Sequence, residues 1–136
     1  MGNNSDGASG WFMSVYDSPI IFGADTEAGK SYIYTASPVS GWPNGHWNMV
    51  TVTRNGTNMP LLYINGELAA LGMYSYFTGP SFSTNDLVFG TGAGGGVTSS
   101  QVLDGHIWLP QIRSSVLSPS DIANLYFIER SGNLWP

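Results

Sequence analysis

Trp42, Tyr74, Tyr76, Phe77 and Phe82 supply aromatic faces in stretches that read as connections, and Asn44, Asn85 and the glycine-rich run 92–96 accompany them. A sugar presents apolar C–H faces that stack on such rings. It also presents a rim of hydroxyls that needs amide or backbone partners. Trp42, Asn44, Tyr74, Tyr76, Phe77 and Asn85 are therefore the candidate ligand contacts. The same aromatics equally suit a core end or a subunit interface, where Tyr and Trp are enriched.

Catalytic chemistry is harder to assemble. Glycoside hydrolysis needs two carboxylates about 5 to 9 Å apart. The acidic residues are Asp6, Asp17, Asp25, Glu27, Glu67, Asp86, Asp104, Asp121 and Glu129. No two of them stand at i, i+2 on a strand-like stretch. Asp25 and Glu27 have that spacing, but they fall in a segment, Asp25 to Gly29, that reads as a polar loop. His46 and His106 are the only imidazole bases, no G-x-S-x-G elbow occurs, and two separated histidines make a poor zinc set. A non-enzyme is expected.

Composition narrows the class. The chain has 136 residues, 10% of them charged, 42% hydrophobic and 13% aromatic, with 18 Gly. That is enough for one domain with a core, built from short strands and many turns. The four basic residues, Lys30, Arg54, Arg113 and Arg130, are scattered in a chain of net charge −5, so nucleic acid finds no counter-charge. The absence of Cys excludes disulfides and thiolate metal sites. No apolar run is long enough to span a bilayer, so no membrane insertion is expected. The start, MGNNSDGASG, has no signal-peptide pattern and fits a myristoylation start poorly. The triplets Asn3-Asn4-Ser5 and Asn55-Gly56-Thr57 match glycosylation acceptors but carry little weight in an Asn-rich chain. Low charge with many Asn, Ser, Thr and Gly leans towards an extracellular or virion surface.

The elements that must position these groups read as follows. Residues 1–10 form a polar arm, and 11–136 a single domain. Trp11 to Tyr16 alternates as a strand. Ile20 to Phe22 is a second strand, stopping at Gly23, and Ser31 to Thr35 is a third. His46 to Glu67 is the clearest stretch: a strand opened by Trp47, a turn at Asn55–Asn58, a strand at Leu61–Ile64, and a tight turn at Asn65-Gly66. Met73 to Ser83 reads as a connection, Leu87 to Gly90 as a strand and Thr91 to Ser100 as a loop. Val102 to Ile112 holds further strand, with Gly105 as a bulge and Pro110 breaking the ladder. One helix follows. Ser118 caps it, Pro119 opens it, Asp121 completes a capping box, Ile122, Leu125 and Tyr126 share a face, and Gly132 ends it. Trp11, Trp47 and Tyr63 are expected in the core, and Trp135 against a neighbour.

The pattern W-x-x-V-x-V-x-R-x-G followed by L-Y-I-N-G-E, at Trp47 to Glu67, resembles the laminin-G-like branch of the concanavalin A-like jelly rolls. Leu87–Gly90, Leu103–Ile107, Ile112-Arg113 and Leu117–Tyr126 continue the likeness in order, over roughly residues 11 to 130. The resemblance implies an all-β antiparallel jelly-roll sandwich with one short C-terminal helix. It also implies a binding scaffold, with Ca²⁺ often held at the rim by Asp and loop carbonyls; Asp25, Asp86 and Asp104 are the metal candidates here. Each of them also suits a turn residue bonding its own backbone. Two departures from the family stand out. Trp108-Leu109-Pro110 replaces an acidic pair, which suggests a surface that packs on something. The chain also reads as lacking N-terminal strands, which would leave an edge to be covered by the arm or another subunit. The expectation is a recognition and assembly module on a virion or cell surface, binding glycans or a host surface, as in phage decoration proteins or adhesins. A purely structural subunit completing an oligomer or capsid is the alternative. Other protein subunits, in a homo-oligomer or a surface assembly, are the expected partners.

Overall fold

The computed structural model describes the backbone of residues 10–15, 20–26, 29–35 and 71–74, and backbone and side chains of residues 45–55, 60–69 and 105–131. These residues form two antiparallel sheets and one helix. The strands are β1 (Gly10–Val15), β2 (Ile20–Thr26), β3 (Gly29–Thr35), β4 (Val50–Thr53), β5 (Leu61–Ile64), β6 (Glu67–Leu68) and β7 (Leu71–Tyr74), and the helix is α1 (Pro119–Ser131). One sheet runs β1-β2-β3-β7 and the other β4-β5-β6. The β-branched VTVT of β4 suits its half-buried pleat, and the SYIYT of β3 has the β-branched and aromatic content of a strand.

Several boundaries differ from the sequence expectation. β2 does not stop at Gly23. Gly23 pairs with Phe12 on one side and Tyr32 on the other, and the strand continues to Thr26. The register Asp25↔Lys30 and Thr26↔Gly29 leaves two residues for the turn, so Asp25 belongs to a strand and not to a polar loop. Met73 and Tyr74 likewise end β7 instead of opening a connection; Tyr74 pairs with Tyr32. Ladder pairing in the meander starts at Val50, three residues after Trp47. The described stretch between Gly105 and Ser118 contains no strand. Leu109 has φ 45°, which turns the chain out of extended geometry, and Pro110 has no N–H to offer a ladder. The stretches Leu87–Gly90 and Thr91–Ser100, and Gly132 and Trp135, lie outside the described residues.

The core of the described region sits on β5. Leu62, Tyr63 and Ile64 are buried in succession, as are Pro60 and Ile122 of α1. Three consecutive buried residues on a strand mean that both of its faces are covered. Tyr63 is in the core as expected, whereas Trp47 is only half-buried. β6 leads into β7 through residues 69 and 70, so the chain passes from one sheet to the other within two residues.

The helix forms as its first residues dictate. Ser118 Oγ accepts from the Asp121 amide at 3.2 Å. The Asp121 carboxylate accepts from the Ser118 amide at 3.2 Å and from its hydroxyl at 2.6 Å. This is a reciprocal capping box with Asp in the acidic place. Ile122, Leu125 and Tyr126 are the buried or half-buried side, as their spacing predicts.

Candidate functional site

The described surface is organised around the turn that joins β5 to β6. Asn65 (φ 52°) and Gly66 (φ 84°) both take positive φ, the requirement of a type I′ hairpin turn. Asn65 closes the ladder one step beyond Val50↔Ile64. Its amide donates to the Met49 carbonyl at 2.9 Å, and its side-chain Oδ1 accepts from the Met49 amide at 3.0 Å. The side chain thus stands in for a backbone carbonyl that the turn has carried away. Asn65 Nδ2 donates to Asn48 Oδ1 at 3.0 Å, and Asn48 Nδ2 donates to the His46 carbonyl at 3.1 Å. This chain of amides pins residues 46–49 against the turn.

α1 closes on the same turn. A Cβ built on Gly66 would lie 3.2 Å from the Ala123 Cα and 3.2 Å from the Tyr126 Cβ. A Cβ here would press on the helix backbone, and the φ of 84° independently favours glycine. Tyr126 in turn accepts a hydrogen bond from Arg130 at 3.2 Å, with the guanidinium 5.9 Å from its ring centre. A cation in the last turn also suits the negative end of the helix.

The pinned segment meets a second one. The half-buried Trp47 ring and the exposed His106 ring lie 6.3 Å apart at a tilt of 42°. From His106 the chain runs on as an exposed apolar ribbon. Ile107 is 45% exposed, Trp108 48%, Leu109 49%, Ile112 66% and Val116 50%. A single exposed apolar side chain is ordinary, whereas five in ten residues form a patch. Leu109 adds strain, since an L-residue in the left-handed region costs about 1–2 kcal/mol. Gln111 accepts from Arg113 at 2.8 Å and forms a polar margin.

Among the described residues no group of three or more His, Cys, Asp or Glu could hold a metal ion. Asp121 is committed to its cap, and its hydrogen bonds from the Ser118 hydroxyl and then the Ser118 amide hold its carboxyl below the ordinary value of 3.8. Glu67 is exposed at the turn and Glu129 lies on the helix.

The sequence-predicted site residues distribute unevenly. Asp25 stands in β2 between Gly10 of β1 and Lys30 of β3, and Tyr74 stands at the end of β7. Trp42, Asn44, Tyr76, Phe77, Asn85, Asp86 and Asp104 lie outside the described residues, as does Glu27. Sequence reasoning missed the Asn48–Asn65 amide pair and the Trp47–His106 contact. The first has a weak signal, an Asn-Gly turn beside a strand with a second Asn near its start. The second pairs residues far apart in sequence and has none. The apolar triplet Trp108-Leu109-Pro110, standing where charge is usual in the resembled family, is exposed.

Residues 1–123 match a laminin-G-type family model described as the concanavalin A-like lectin/glucanases superfamily. That superfamily implies a β-sandwich, in keeping with the antiparallel sheets and single helix seen here. No curated protein and no solved structure matches the chain.

Proposed function

The chain belongs to the concanavalin A-like lectin/glucanase superfamily, and from that premise we propose that it is a non-catalytic recognition and assembly module with jelly-roll topology. It is displayed on a virion or cell surface, where it binds glycans or a host surface. The observation that supports the assembly part of this reading is the exposed apolar ribbon from Ile107 to Val116. The superfamily contains both lectins and glucanases, and this reading takes the binding branch. Trp42, Asn44, Tyr74, Tyr76, Phe77 and Asn85 are the proposed glycan contacts. Asp25, Asp86 and Asp104 are the proposed ligands if the module uses Ca²⁺.

A glycan array with and without Ca²⁺, run beside a reducing-sugar release assay on the same glycans, tests the reading. Binding without release is expected, with Trp42→Ala or Tyr76→Ala abolishing the array signal at an unchanged melting temperature. Release of reducing sugar would make the chain a glucanase instead. The same ribbon also favours a second reading, a structural subunit that completes an oligomer or capsid. In that case the array stays blank and the aromatics are needed for assembly.

A further inference from the structure

We propose that the ribbon from Ile107 to Val116 is the surface through which two copies of this chain pair, a proposal that rests on the assembly part of the reading above. Three features of the ribbon select a second copy as its occupant. The first is area. At their observed exposures the five apolar residues of two copies would bury on the order of 1,000 Å² ribbon on ribbon, the threshold of a specific interface.

The second is charge. Arg113 is the one charged residue between Gly105 and Ser118, and its guanidinium is occupied with Gln111 at the margin. A two-fold axis brings each patch against itself, so an interface between copies must be free of like-charge runs. An apolar strip with one marginal cation meets that condition, whereas a charged partner would find nothing to read. The third is the backbone. Leu109 holds a left-handed conformation immediately before Pro110 while its side chain is half exposed. Backbone strain of this kind is kept where the local conformation serves a function. It fixes the direction of Trp108 and Leu109 before a partner arrives, so less ordering is needed on pairing.

The chain has no Cys, which makes the test direct. The full chain carrying Ile112→Cys is oxidised at low micromolar concentration, and the chain carrying Glu67→Cys, on the β5–β6 turn, serves as the control. Light scattering on the unmodified chain is run beside Trp108→Ser and Ile112→Glu. The expected result is a dimer for the unmodified chain and monomers for both ribbon variants with unchanged circular dichroism. Oxidation is expected to give a covalent dimer with the Ile112→Cys chain and none with the Glu67→Cys chain. Should a ribbon variant fail to fold, the crosslink pattern still decides. A monomeric unmodified chain overturns the proposal. So does a dimer that crosslinks equally at both positions or persists in the ribbon variants. A monomer that still binds the glycan array leaves the recognition reading standing while removing this one. An oligomer that ignores the ribbon leaves the assembly reading standing without this surface.

Discussion

Asn65 and Gly66 show how much two adjacent residues can decide. Asn65 supplies the left-handed turn, the last ladder bond and the amide contact that holds Asn48. Replacing it with Ala leaves the half-buried Met49 amide without its acceptor and places an alanine at positive φ. A loss of about 2 kcal/mol in urea unfolding is expected. Gly66 and Gly45 form a natural pair for comparison. Both have φ near +80°, but an added Cβ meets nothing within 4 Å at Gly45 and meets α1 at Gly66. Gly45→Ala is expected to cost about 1 kcal/mol, the conformational part alone. Gly66→Ala adds a steric part and costs about 2–4 kcal/mol. Equal melting shifts for the two would show that the helix gives way at no cost.

At the scale of elements, β5 and α1 were legible because local chemistry and burial agree. The Asn-Gly turn fixes the hairpin, and the Ser118–Asp121 box with Pro119 fixes the helix start. What escaped was set by partners distant in sequence. Asp25 reads as a loop residue beside Gly23 and Gly29, yet pairing with β1 and β3 draws it into a ladder. Val102–Ile112 reads as strand by composition, yet the conformation of Leu109 and the missing N–H of Pro110 end that possibility for its described part. Most of the candidate ligand contacts lie in stretches that aromatic content marks but no local rule shapes. The helix start makes its own prediction. Ser118→Ala is expected to cost about 1 kcal/mol in urea unfolding. The cap is also sensitive to acid. The Asp121 carboxyl is depressed in the folded state, so its contribution is complete above the ordinary value of 3.8 and is lost as pH falls through the depressed one. In Asp121→Asn this acid-dependent part is absent, so the stability gap between the two proteins narrows as pH drops below 3.8. A gap that stays constant through that range would place the charge outside the cap's energetics.

For the whole molecule, a superfamily β-sandwich carries a helix docked on one turn and an apolar ribbon directed outwards. The buried core on β5 and the exposed ribbon are separate in the chain. Leu62 is fully buried in β5, and Leu62→Ala is expected to lower stability by about 2–5 kcal/mol without changing the solution mass of whatever protein remains folded. Trp108→Ser is expected to do the reverse. Light scattering and thermal melting on the two variants together would distinguish an assembly surface from a misplaced piece of core. The short passage from β6 to β7 has a kinetic corollary. β7 pairs with β3 across the long stretch between Thr35 and Leu71, a closure that is entropically expensive for an open chain. The meander of β4, β5 and β6 contracts that stretch through nearer contacts and ends two residues before β7 begins. Its formation therefore delivers the last strand to its slot, and a substitution that slows the hairpin at Asn65-Gly66 should delay completion of the other sheet as well.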